Sequence, residues 1–275
     1  MRVLDSHLHL WDPAVLRYGW LEGRLLGRFS VEERRAALLE APPARRSAVF
    51  VQAECAPADS LAEVDWVSGL AADAGVRGIV AHLPMEHHEA SREGLSALRG
   101  RRLVVGVRRL LQDEPGGLAT SREFVASARA VAEAGLAFDA CVRHPQLPDV
   151  AAFAEAVPEL TVVLDHLGKP DVSTLPSAGW RADLQRLADR PGTACKLSGL
   201  PAECSTDWTA AQLTPFLDAA LAAFGPERLL FGGDWPVSWP YARWERFVTE
   251  WAQDAAPGHV DDILWANAER IYRLA

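Results

Sequence analysis

The sequence predicts an α/β fold, a (β/α)8 barrel, on three observations. Eight short apolar runs rich in β-forming residues follow one another, and each ends in polar residues. Helical patterns separate the runs, and units of roughly thirty residues have the size of a βα crossover. The length of 275 residues suits one such barrel. Strand alternating with helix implies a parallel sheet, and eight units point to a closed barrel more than to an open sheet. A Rossmann-like fold is the competitor, but no GxGxxG follows the first run.

Taken in order, the strand signals lie at 3–7, 48–54, 76–82, 103–108, 137–143, 161–166, 194–198 and 229–234. Among the helical patterns, 60–67 opens like an N-capped helix with Glu63 at the capping-box position. A second, from Phe124, runs to a stop at Gly135, and a third, from Leu217, ends at Gly225-Pro226. The long stretches 10–29 and 168–179 are expected to cover the barrel mouth, and 260–272 to close the fold. No linker or composition shift breaks the chain, so residues 1–275 read as a single domain.

Composition narrows the function. The chain is 49% apolar and 24% charged, ordinary for a soluble globular protein. A net charge of -9 argues against nucleic acid as a partner, since such binding is driven by phosphate neutralisation. The pairs Arg34-Arg35, Arg45-Arg46 and Arg101-Arg102 read as solvated helix faces and loop edges. Cys55, Cys141, Cys195 and Cys204 show no CxxC spacing, which speaks against a zinc-thiolate site or a disulfide framework. No apolar run reaches membrane-spanning length and the N-terminus lacks a signal-peptide core. The expectation is a cytoplasmic protein, monomer or homo-oligomer, that acts on a small molecule away from membranes.

In a barrel of this kind, catalytic groups occupy the C-terminal ends of strands. His7 and His9 end the first strand two residues apart, so both imidazoles point to one side. Glu54 ends the second strand, His82 the third, Arg108 and Arg109 the fourth, Arg143 and His144 the fifth. His166 ends the sixth, Lys196 lies on the seventh, and Asp234 ends the eighth. Imidazoles with a carboxylate suit a divalent ion such as zinc, which keeps an open position for water.

The segment Asp5-Ser6-His7-Leu8-His9-Leu10-Trp11-Asp12-Pro13 resembles the opening motif of the amidohydrolase superfamily, in its amidohydrolase-2 branch. Val51-Gln52-Ala53-Glu54, Gly106-Val107-Arg108-Arg109 and Leu164-Asp165-His166-Leu167-Gly168-Lys169-Pro170 resemble motifs of that branch's lactonase-like group. So do Lys196-Leu197-Ser198-Gly199-Leu200 and Leu230-Phe231-Gly232-Gly233-Asp234-Trp235-Pro236-Val237. The group includes hydrolases of fucono- and rhamnono-lactones and is related to pyrone dicarboxylate lactonase. The resemblance implies a TIM barrel of the amidohydrolase type. It makes His7, His9, His166 and Asp234 the catalytic set and the ligands of one divalent metal, zinc or similar, or of none. The fifth strand ends Cys141-Val142-Arg143-His144, without the bridging histidine or carboxylated lysine of binuclear members, so a binuclear centre is not expected.

The expected reaction is opening of a lactone ring, most simply that of a sugar acid. Asp234 would act as general base on water while the histidines or a metal polarise the carbonyl. A metal-dependent non-oxidative decarboxylase and a non-catalytic binding protein are the alternatives. Substrate contacts are expected from Trp11, Glu54, His82, Arg108, Arg109, Lys196 and Trp235. Of these, Glu54 reads either as an extra metal ligand or as a partner to a histidine. His82 is either a substrate contact or a structural hydrogen-bonder. Arg108 and Arg109 alternate in direction, so at most one faces the mouth. Lys196 either touches ligand or salt-bridges inside the barrel. Trp11 and Trp235 are expected to wall the pocket, with loops around Trp20, His88 and Trp180 setting specificity.

Overall fold

A computed structural model describes residues 1–204 and 207–275. Eight parallel strands follow in chain order: β1 (Arg2–Leu8), β2 (Arg45–Val51), β3 (Val76–His82), β4 (Val104–Arg108), β5 (Ala137–Ala140), β6 (Val162–Leu164), β7 (Thr193–Leu197) and β8 (Leu229–Phe231). The helices α1 (Val31–Leu38), α2 (Ser60–Ala74), α3 (His88–Leu98), α4 (Arg122–Glu133), α5 (Leu147–Ala156) and α6 (Ala178–Ala188) lie between them. After β7 come α7 (Leu200–Glu203) and α8 (Ala210–Phe224), and after β8 come α9 (Tyr241–Ala255) and α10 (Asn267–Ile271).

The ring nearly closes between β1 and β8, and the joint lies at the site. Asp234 N–H donates to the His7 carbonyl at 2.7 Å, and His9 N–H to the Trp235 carbonyl at 2.9 Å. The strands stop earlier than their apolar runs: β5, β6 and β8 end at Ala140, Leu164 and Phe231. Glu54, His166 and Asp234 therefore sit on the turns that follow their strands, with φ of 54°, 55° and 51°.

Inside the barrel, the two-residue period sorts chemistry into layers. At the N-terminal end Leu4, Val49, Val163, Ala194 and Leu230 form an apolar floor with Trp265, Ala268 and Tyr272 of the C-terminal segment. That segment closes the fold as expected, partly as a π-helix over Asp262–Ala266. One step further along the strands the inward positions become Asp139, Asp165 and Lys196, each completely buried. In β1 a register irregularity between Asp5 and Leu8 changes the alternation, so Leu4 and His7, three apart, both face inward.

Two local expectations change. Ser60 and Glu63 make no capping box, because Ser60 is the first residue of α2 and Glu63 is buried, accepting from Ala53 N–H at 3.1 Å. The capping box is made at α1 instead, by Ser30 and Glu33. Arg34 and Arg46 are not solvated either: Arg34 is buried and donates to the Ala74 carbonyl, and Arg46 pairs at 2.6 Å with buried Glu245.

Candidate active site

The C-terminal mouth opens into a cavity of about 650 Å³ whose base is formed by His9, His166, Asp234 and Arg108. Directly under it, Nε2 of His7 lies 3.1 Å from Nε2 of His9. Oδ1 of Asp234 stands 3.5 Å from His9 Nε2, 3.8 Å from His7 Nε2 and 3.9 Å from His166 Nε2. The structure thus brings together the four residues singled out in the sequence.

Each side chain is held from behind. His9 Nδ1 faces the Val51 carbonyl at 2.8 Å, which places its proton there and leaves Nε2 free. His166 Nδ1 meets the Ser198 hydroxyl at 2.8 Å. Gly199 makes room for that ring, since a Cβ there would lie 2.3 Å from His166 Nδ1. The Ser238 hydroxyl donates to Asp234 Oδ2 at 2.8 Å and turns Oδ1 toward the imidazoles. His166, Leu167, Gly168 and Lys169 are successive left-handed residues, a costly run that aims both His166 and Lys169 at the cavity.

Burial sets the protonation. It pushes His166 down to about 4 against the pull of Asp234, and it holds His7 far below the ordinary imidazole value despite Asp165. Burial alone would raise Asp234, but the facing His166, with His9 and His7, outweighs it and keeps the carboxylate well below its usual range. At neutral pH His7 and His166 are thus held neutral beside the ionised Asp234 carboxylate.

This donor set fits a divalent ion. Ligands about 2.0–2.1 Å from a tetrahedral zinc stand about 3.3–3.4 Å apart. The spacings of 3.1, 3.5, 3.8 and 3.9 Å bracket that value, and His7, His166 and Asp234 offer converging ligand atoms.

Of the expected substrate contacts, Glu54, His82 and Arg108 line the cavity. Glu54 accepts from Gln52 Nε2 at 2.6 Å, and its charge favours the protonated form of His82 against burial. Arg109 points the other way and pairs with Glu86 and Glu114 at 2.8 and 2.6 Å. Lys196 is sealed in the barrel between Asp139 and Asp165, out of substrate reach. Trp11 and Trp235 are also buried behind the wall: Trp11 Nε1 donates to Leu25 and Gly27 carbonyls, and Trp235 packs on Phe29. Trp20 provides the aromatic surface, anchored by Nε1 to the Ala53 carbonyl at 2.8 Å. His88 starts α3 away from the cavity, and Trp180 is buried with its Nε1 on the Leu167 carbonyl.

Sequence reasoning missed Gln112, Lys169 and Glu203, which form one wall: Lys169 Nζ donates to Gln112 Oε1 at 2.6 Å and lies 3.7 Å from Glu203. Each comes from a loop or a short helix after a strand, where no period marks direction. The same reasoning also passed over Asp139 and Asp165, although their charges fall in step with the inward positions of β5 and β6.

A parallel barrel with three imidazoles and a carboxylate converging at its mouth is the frame of a hydrolase. Residues 4–274 match the model of the Amidohydrolase family, and the chain belongs to that family. The L-fucono-1,5-lactonase of Burkholderia multivorans is 34% identical, over 98% of this chain and 96% of that protein. The L-rhamnono-gamma-lactonase of Scheffersomyces stipitis is 27% identical over 59% of this chain and 56% of its own. A crystal structure of a Burkholderia multivorans amidohydrolase with bound zinc covers 100% of both chains, at TM-score 0.88 and 30% identity.

Proposed function

We propose that this protein hydrolyses a sugar-acid lactone, with Asp234 as general base. The observation that carries this reading is the position of Asp234 Oδ1, within 3.9 Å of three imidazole Nε2 atoms under an open cavity. The full-length likeness to a fuconolactonase supports the substrate class and favours lactone opening over decarboxylation. A polyhydroxylated ring also suits the wall, where Glu54, His82, Gln112, Lys169 and Glu203 offer hydrogen bonds beside the face of Trp20.

Asp234, ionised at neutral pH, takes a proton from water as the water oxygen bonds to the lactone carbonyl carbon. Imidazole N–H and the Arg108 guanidinium stabilise the oxyanion. Collapse breaks the ring C–O bond, Asp234 returns the proton to the leaving alkoxide, and a hydroxy acid results. A divalent ion held by His7, His9, His166 and Asp234 supplies Lewis-acid polarisation of the carbonyl when bound. Four free cysteines accord with a reducing compartment and support a cytoplasmic site of action. Among the described residues, no helix is long and apolar enough to cross a membrane.

The test is acid release from a panel of aldonolactones, followed with a pH indicator, with and without chelator. Turnover of at least one sugar-acid lactone by wild type, lost in Asp234→Asn, is the expected result. No lactone turned over, or full activity in the variant, overturns the reading.

A further inference from the structure

Behind the imidazole cluster, Nδ1 of His7 has two rival partners. Lys196 Nζ stands 3.1 Å away as a donor, and Asp165 Oδ1, a buried acceptor left without a hydrogen-bond partner, stands 3.2 Å away. A neutral imidazole carries one proton, so Nδ1 serves one rival at a time. All three residues are completely buried, so neither rival is replaced by bulk water.

The two choices have opposite consequences at Nε2. When Nδ1 accepts from Lys196, the proton sits on Nε2 and points to Nε2 of His9 at 3.1 Å. His9 is ready to accept, because its own proton is committed to the Val51 carbonyl. When Nδ1 donates to Asp165, Nε2 keeps the lone pair that a metal ion requires. The nearest cationic donor to that lone pair is then Arg108 Nη1, at the long distance of 3.4 Å.

The geometry weighs toward the first arrangement. Two bare Nε2 lone pairs 3.1 Å apart repel, and a proton between them turns that into a hydrogen bond. Lys196 hydrogen-bonds to Asp139 Oδ2 at 2.5 Å and to His7 Nδ1 at 3.1 Å, and its charge lies 2.9 Å from Asp165 Oδ1. Asp139 is in turn fixed by the Tyr272 hydroxyl at 2.8 Å. The ammonium thus fills a nest of three groups, His7, Asp139 and Asp165, that converge closely enough to hold a cation.

We propose that Lys196 is a positioning residue that fixes His7 as its Nε2–H tautomer in the metal-free protein, while Asp165 is the acceptor for the alternative tautomer that binds metal. Lys196 thereby holds the His7 proton toward His9 and opposes metal capture. The exchange moves one proton between ring nitrogens and leaves the ring neutral. It concerns the site of the proposed function but holds for any lactone, and its test needs no substrate.

The experiment is a long-range 1H–15N correlation on chelator-treated protein labelled at histidine with 15N, with His7 assigned by its loss in His7→Gln. Wild type is expected to show His7 protonated on Nε2. The double variant Lys196→Met/Asp139→Asn removes one cation and one anion together and keeps the buried charge balanced. In it, the His7 proton moves to Nδ1 and zinc affinity, read by competition with a chromophoric chelator, rises about tenfold. Asp165→Asn retains Nε2–H and lowers zinc affinity by a similar factor. An Nδ1–H pattern in wild type, or an unaltered His7 pattern in the double variant, overturns the proposal. The wild-type spectrum decides even where the double variant fails to fold, and a failed lactone screen leaves this readout untouched.

Discussion

At one end of the barrel, Leu4, Val49, Val163, Ala194 and Leu230 meet Trp265 and Tyr272 in an apolar floor. Arg2, Arg45 and Arg77, from the starts of β1, β2 and β3, place their guanidinium groups 5.1, 5.5 and 5.4 Å from the Trp265 ring. Two to four residues beyond the floor positions, the same strands and the turns that follow them carry His7, Asp165, Lys196 and Asp234, buried and charged or polar. The mouth also holds the left-handed residues Glu54, His166, Lys169 and Asp234, whereas the floor has the left-handed Arg273 close to it. The floor gathers hydrophobic stabilisation and the mouth gives part of it up in strain and desolvation. One short run of strand therefore supplies both stability and chemistry.

That contrast can be broken by substitution at either end. The largest effect belongs to Asp234→Asn, which should lower kcat/KM on the responsive lactone about 10³- to 10⁴-fold without lowering Tm. Activity within tenfold of wild type, or a large loss of Tm, would place Asp234 with the floor. Trp265→Ala should do the reverse, destabilising by about 3–5 kcal/mol in urea titration while the folded fraction keeps its kcat.

Next in size is Gly199→Ala, whose new Cβ collides with His166 at a φ of +71°. It should reduce kcat about 100-fold by displacing His166, with the loss appearing in kcat more than in KM. Normal kcat would show that His166 position is dispensable.

Acid should act on the mouth first. The folded state keeps His166 neutral down to about 4, while the unfolded chain takes up a proton near 6.5. Between those values the unfolded state binds more protons, so stability falls as pH drops through that window. Urea midpoints measured from pH 7 to 4 should show this decline, and His166→Gln should make it shallower. An unchanged slope would mean that His166 does not enter the linkage.

The smallest effect sharpens the assignment of direction on β4. Arg109→Gln breaks outward ion pairs worth up to about 1 kcal/mol and should leave kcat/KM within about threefold, whereas Arg108→Gln should reduce it strongly.

Much of this architecture can be read from residue patterns. The eight runs and their spacing give the barrel, and His7, His9, His166 and Asp234 announce themselves as polar ends of apolar strands. Arg108 and Arg109 show the limit of that logic, since adjacent residues point oppositely and only the register decides which one enters. Trp11 and Trp235 mislead for a different reason: they follow site residues in sequence, but the turns that project the polar groups send the indoles into the wall. Lys196 is ambiguous until Asp139 and Asp165 are seen around it. Gln112, Lys169 and Glu203 meet only through tertiary packing of three separate connections.

The hydrogen bond from Tyr272 to Asp139 has a consequence for the order of biosynthesis. A chain emerging from the ribosome carries His7 and Lys196 long before Tyr272. Until that ring arrives, Asp139 lacks its clamp and the inner faces of β1 and β8 lack Trp265 beneath them. The residues that bear the chemistry are thus made early and assembled late. A nascent chain stalled just after Asp234 would carry every member of the imidazole–carboxylate cluster yet lack the Tyr272 hydroxyl that fixes Asp139.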